Sequence, residues 1–143
     1  MCRRIVLCAL AVLVAGGCAQ APDSLRVERV LVGVAVGEFE PFDRVVTNPD
    51  DVRDLERMVR DLPPAPELRY CAIAWGLRYR LTFAHEASPT LVAIVEADGC
   101  RELLIGAADR RMTTEEFWAR LAGALGFYTR GNDLFPLPKS MRR

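Results

Sequence analysis

The sequence predicts an α+β domain, a small antiparallel sheet packed with two helices and held by one disulfide. Three observations carry that expectation. Several runs alternate β-branched or aromatic residues with polar ones, the period of a strand with one buried face. Two charged stretches place apolar residues three and four apart and open on capping side chains, the pattern of an amphipathic helix. Cys71 and Cys100 form an even pair in the body of the chain. The expected order is β-α-β-β-β-α, with no internal repeat and no low-complexity tract.

The first strand is expected in Leu25 to Val36, where Val30, Val32, Val34 and Val36 alternate with Leu31, Gly33 and Ala35. Gly37 to Pro41 ends it and begins a loop. Asn48-Pro49-Asp50-Asp51 starts a helix: Asn48 caps, proline suits the first helical position, and two carboxylates sit at the positive end of the dipole. Val52, Leu55, Val59 and Leu62 form its apolar stripe, and the charged residues between them form a solvated face. Pro63-Pro64-Ala65-Pro66 stops it.

Tyr70 to Phe83 reads as a strand with a break near Trp75-Gly76. Leu77, Tyr79, Leu81 and Phe83 share one face; Arg78, Arg80 and Thr82 share the other. Ala84 to Pro89 reads as a turn. Thr90 to Ala97 is the most apolar run and is expected at the centre of the sheet. Asp98-Gly99 signals a hairpin, with Arg101 to Ala107 as the partner strand. Thr113 and Glu116 make a capping box for the second helix, whose stripe is Phe117, Leu121, Ala122 and Leu125, with Trp118 at its edge. Gly126 is its expected stop. Residues 128–143 are expected to be a weakly ordered tail with a basic end.

The N-terminal stretch bears on location. Arg3 and Arg4 precede an uncharged apolar run, Ile5 to Ala15, and the small Gly16 and Gly17 stand before Cys18. This is the three-part layout of an export signal. The run is shorter than the roughly 20 apolar residues a spanning helix needs. Val14-Ala15-Gly16-Gly17-Cys18 resembles the lipobox of bacterial lipoproteins, with Ala15 standing where that family prefers leucine. The resemblance implies cleavage before Cys18 and lipidation of its thiol. It implies a cell-membrane location on the outer, extracytoplasmic face; a chain whose lipobox is not used is secreted. The expected division is a signal peptide at 1–17, a lipidated tether at 18–25, one domain at 26–127, and the tail.

On this reading Cys2 and Cys8 leave with the leader and Cys18 takes the lipid. Cys71 and Cys100 then pair in an oxidising compartment. The 126 residues that remain suit a single domain with a real core. They hold 17 basic and 19 acidic residues, so no basic stripe is available for nucleic acid.

Residues that could carry chemistry are sparse. His85 is the one histidine, beside Glu86 and close to Ser88. Neighbours in one short turn rarely converge on a substrate atom, so no catalytic set is expected there. One histidine without a cysteine cluster makes no zinc site, and no metal or other cofactor is expected. The carboxylate pairs Asp50/Asp51 and Glu115/Glu116 open helices, where the dipole accounts for them. There is no phosphate loop, no Gly-x-Ser-x-Gly and no His-Glu-x-x-His. Trp75 and Trp118 are the candidates for an exposed contact surface.

Cys71 with Trp75-Gly76, Tyr79-x-Leu81-x-Phe83, Gly99-Cys100, and Phe117-Trp118 before Leu121 and Gly126 resemble small actinobacterial lipoproteins and exported proteins. The resemblance covers roughly residues 48–126. It implies a structural disulfide and display at the membrane, and it carries over no catalytic residues. The expected function is a non-enzymatic binding or interaction module of the cell envelope. Its membrane contact is the lipid anchor, and its partner an envelope protein or ligand. The alternatives are a protease-inhibitor-like domain presenting residues 84–89 or 39–47, and a small envelope enzyme.

Overall fold

The computed structural model describes residues 20–31, 33, 36–67, 70–71, 75–127 and 134–142. The leader and Cys18 lie outside the described residues. The elements are β1 (Ser24–Leu31), β2 (Asp43–Val46), α1 (Pro49–Asp61), β3 (Leu77–His85), β4 (Ser88–Glu96), β5 (Glu102–Ile105), β6 (Asp109–Met112) and α2 (Glu115–Ala124), with a 3-10 turn at Lys139–Met141. The six strands form one sheet in the order β2-β1-β3-β4-β5-β6, and every neighbouring pair is antiparallel. The class is therefore α+β as expected, with two helices and the Cys71–Cys100 bond. Two short edge strands, β2 and β6, extend the expected order.

One apolar cluster joins one face of the sheet to both helices. Leu25, Val27, Tyr79, Leu81, Phe83, Val95 and Leu103 from the strands are buried with Val52, Leu55 and Val59 of α1 and Phe117 and Leu121 of α2. The period-two reading of β3 holds: Leu77, Tyr79, Leu81 and Phe83 are buried, while Arg78 and Thr82 are half-exposed and Arg80 is exposed. The apolar run expected at the centre is β4, flanked by β3 and β5. Its outward Val92 lies on the sheet face opposite the helices, together with Ile94 and Leu104.

The α1 start follows its sequence signal. Asn48 accepts from the Asp50 N–H at 3.0 Å, with Pro49 at the first turn. The prolines that end α1 have a second use. Pro64 bridges to Arg111, Met112 N–H donates to the Pro63 carbonyl at 2.8 Å, and Ala65 N–H donates to the Arg110 carbonyl at 2.9 Å. The segment thus covers the outer edge of β6, a ladder of unpaired groups that otherwise invites pairing with other chains. Arg120 of α2 reaches Asp51 and Asp54 of α1 at 2.7 and 3.2 Å and ties the helices together.

Several expected boundaries move. The first strand ends at Leu31, short of Val36, and begins at Ser24, so part of the expected 18–25 tether belongs to the domain. The loop after Gly37 contains β2, because Leu25, Arg26, Val27 and Glu28 offer it a free edge. The expected strand from Tyr70 starts only at Leu77, after Gly76 at φ 82, so Cys71 lies outside it. The turn at 84–89 contracts to Glu86-Ala87, with His85 paired to Ser88. The Asp98-Gly99 turn widens into a loop between Glu96 and Glu102, with Gly99 and Arg101 left-handed at φ 63 and 53. The partner strand stops at Ile105, and Gly106 at φ 61 turns the chain into β6.

The cap of α2 is Thr114, whose Oγ1 accepts from Phe117 N–H at 3.1 Å. Thr113 is not that cap, because its hydroxyl is engaged elsewhere. It donates to the Arg101 carbonyl at 2.7 Å and accepts from the Trp118 indole N–H at 2.9 Å. The tail also differs from expectation over residues 134–142. Leu134 is fully buried, and its carbonyl accepts from the Tyr79 hydroxyl at 2.8 Å. Lys139 N–H donates to the Glu38 carbonyl and Ser140 N–H to the Glu38 carboxylate, both at 2.9 Å. Burial of Leu134 supplies the apolar gain that a tail in solvent lacks.

Candidate functional site

The best-formed candidate site lies at the end of the sheet where β3 begins and β4 ends. It is built around Asp98. Its Oδ2 accepts from the Trp75 N–H at 2.7 Å and the Leu77 N–H at 3.3 Å, so one carboxylate fixes the chain entering β3. Ala97 N–H donates to the Leu77 carbonyl at 2.9 Å. Cys71 and Cys100, with Cα atoms 4.9 Å apart, tie the incoming segment to the loop that carries Asp98.

The C-terminal segment supplies the opposite wall. Phe135 packs its ring edge-on to Trp118 at 4.8 Å between centroids, and the Arg101 guanidinium lies 4.8 Å over the Phe135 ring. The 3-10 turn at Lys139–Met141 is pinned to Glu38, whose carboxyl the Ser140 N–H holds below the usual carboxylate range. Between these walls runs a groove of about 410 Å³, lined by Phe39, Trp75 and Leu77 on one side and Phe135, Leu137 and Met141 on the other. An adjoining depression of about 500 Å³ shares Phe135 and Leu137 and includes Arg142. Leu137 and Met141 expose 61% and 53% of their surface, high for large apolar side chains.

The two candidate tryptophans separate. Trp75 lines the groove and is only half-buried. Trp118 is 3% exposed and sits in the core, so it is not a contact residue; its indole N–H, which a buried tryptophan must satisfy, finds Thr113. The C-terminal wall falls in the segment expected to be a weakly ordered tail. A signal was present: Leu134-Phe135, Leu137 and Met141 are too apolar for a solvated tail.

His85 lies at the other end of β3. Its Nδ1–H donates to the Ala21 carbonyl at 2.9 Å, and the same nitrogen is 3.4 Å from Asp23. Asp23 in turn accepts from the Glu86 N–H at 3.0 Å, which together with the side chain of Ser24 and the charge of His85 holds its carboxyl below the usual range. Ser88 is the cross-strand partner of His85, yet no hydrogen bond joins the two side chains among the described residues. These contacts fasten residues 21–23 to the hairpin. Of the candidate inhibitor loops, 84–89 keeps only Glu86-Ala87 outside β3 and β4, and 39–47 contains β2 at Asp43–Val46.

A smaller hollow of about 290 Å³ lies on the sheet face opposite the helices. It sits over Ile94 and Leu104, between the Arg78–Glu96 and Arg110–Glu102 ion pairs. Among the described residues, no group of three or more His, Cys, Asp or Glu side chains is placed to hold a metal ion. No helix among them is long and apolar enough to cross a membrane. No known family, curated protein or solved structure matches the chain.

Proposed function

We propose that the chain is a lipid-anchored extracytoplasmic lipoprotein, and that its domain is a non-catalytic binding module whose contact site is the Trp75 groove. The observation that carries the binding reading is the groove itself. It is open and apolar, and its walls are fixed by a disulfide, by Asp98 and by the docked C-terminal segment. A surface held open by covalent and polar fastenings, with Leu137 and Met141 left exposed, is the kind that partners cover. The anchor reading rests on the leader that ends at Cys18. One lipidated cysteine bearing two or more chains gives stable membrane attachment, where a single acyl chain is marginal.

Two measurements test the two halves separately. Cys18→Ser is expected to abolish metabolic labelling by fatty acid and to release the protein from membranes; unchanged labelling overturns the anchor. Cross-linking in native membranes is expected to capture an envelope partner or ligand with the parent chain, and to lose it with Trp75→Ala. Capture unaffected by that change removes the groove as the contact site.

A further inference from the structure

Several backbone groups that line the groove are already engaged. The N–H groups of Trp75 and Leu77 are taken by Asp98, that of Ala97 by Leu77, that of Arg101 by the Asp98 carbonyl and that of Met141 by Pro138. Pro136 and Pro138, also in the lining, have no N–H. The Leu137 carbonyl already accepts from Arg142 Nε at 2.9 Å. A peptide backbone group laid against these stays unpaired, at a cost of about 1–3 kcal/mol for each one buried. An alkyl chain has no such groups.

Two guanidinium groups border the site. Asp98, the carboxylate of the lining, keeps its charge but turns Oδ2 onto two backbone N–H groups. Arg101 lies on its other wall, with a partner, Glu115, that is 88% exposed and so holds it weakly. Arg142 stands in the adjoining depression and makes no ion pair among the described residues. The groove volume falls in the roughly 300–1000 Å³ range of small-molecule sites.

We infer that the groove takes a free single-chain amphiphile with an anionic head, of the class of long-chain carboxylates. The alkyl chain lies along Trp75, Phe135 and Leu137, and the head meets Arg101 or Arg142. This deepens the binding reading above and depends on it, since it names the ligand class of the same groove.

The test is isothermal titration calorimetry on the full-length chain carrying Cys18→Ser, with dodecanoate and dodecyltrimethylammonium, each below its micellar concentration. That chain has no acylation site, so the result is independent of the anchor. Saturable one-to-one binding of dodecanoate is expected, with the cationic amphiphile weaker by roughly tenfold or more. Leu137→Asp, at an exposed position, is expected to weaken dodecanoate at least about tenfold, while Val92→Asp on the open sheet face leaves it unchanged. Arg101→Gln together with Arg142→Gln is expected to erase the preference for the anion. The inference is overturned by no saturable dodecanoate binding, by equal affinity for both head groups, or by dodecanoate binding insensitive to Leu137→Asp. Binding only to phosphatidylglycerol vesicles also overturns it, and makes the patch a membrane contact. Should dodecanoate fail while Trp75→Ala still loses a cross-linked protein, the ligand class is wrong and the binding groove stands.

Discussion

Where β3 turns into β4, polar contacts hold the chain; at the opposite end of β3, about 26 Å away at the usual strand rise, a covalent bond and apolar burial are added to them. At the hairpin end, residues 21–23 are tied down by the His85 ring, the Asp23 carboxylate and backbone bonds to Ala84, all near the surface. At the groove end, Cys71–Cys100 and the buried Leu134 act together with the hydrogen bonds of Asp98 and Glu38, and exposed apolar side chains are left over. The difference teaches that the two ends of one small sheet can be fastened by different means. On the proposed function the hairpin end needs attachment only, and the far end needs a rigid opening, whose rigidity cannot come from the apolar contacts it withholds.

The largest test of that contrast is the disulfide. Cys71→Ser with Cys100→Ser removes a cross-link spanning 29 residues, worth about 3.5 kcal/mol in the chain-entropy model. Urea unfolding should show that loss, and amide exchange should speed up first at Trp75 and Leu77. A loss under about 1 kcal/mol means that the C-terminal segment, not the disulfide, holds the groove end.

The hairpin end should respond in the opposite direction to a smaller change. Glu86 and Ala87 adopt φ 48 and 66, the two left-handed positions of a tight hairpin turn, and neither is glycine. A left-handed alanine costs about 1 kcal/mol, partly offset by the greater chain entropy of glycine when unfolded. Ala87→Gly is therefore expected to stabilise by about 0.5 kcal/mol, read as a rise of roughly 2 °C in Tm. A fall in Tm would mean that the turn is not strained.

The smallest effect is expected at Asp23, and it carries a pH signature. Its carboxyl is held below its unfolded value by the Glu86 N–H, so the ionised form favours the folded state. That contribution is present above the unfolded carboxylate range and is lost as pH falls through the lowered folded value. Asp23→Asn is expected to lower Tm slightly at neutral pH, and the gap from the parent chain should close in acid. A gap that persists in acid assigns the effect to packing instead of charge.

Much of the fold was legible because its signals are local. The α1 stripe, the Asn48 cap, the alternation in β3 and the apolar β4 each follow from neighbours a few residues apart. What was missed depends on distant partners. The β2 segment DRVV has too little pattern to announce a strand and becomes one because β1 has a free edge. Thr113 looked like a helix cap, yet the Arg101 carbonyl and the Trp118 indole claim its hydroxyl. Of the candidate site, Trp75 was legible; Leu137, Met141 and Arg101 were not, since nothing in their spacing brings a C-terminal segment beside the loop at Asp98.

By itself the sequence determined the α+β class, the even cysteine pair and the runs that make the core, because periodicity and cysteine chemistry act over short range. Only the tertiary structure decided which tryptophan is exposed and that residues 134–142 pack against the domain. It also decided that a groove lies at the end of the sheet away from residues 21–23. Those outcomes depend on which surfaces meet, and Leu134 finds its buried place only once Tyr79 and Phe135 find theirs.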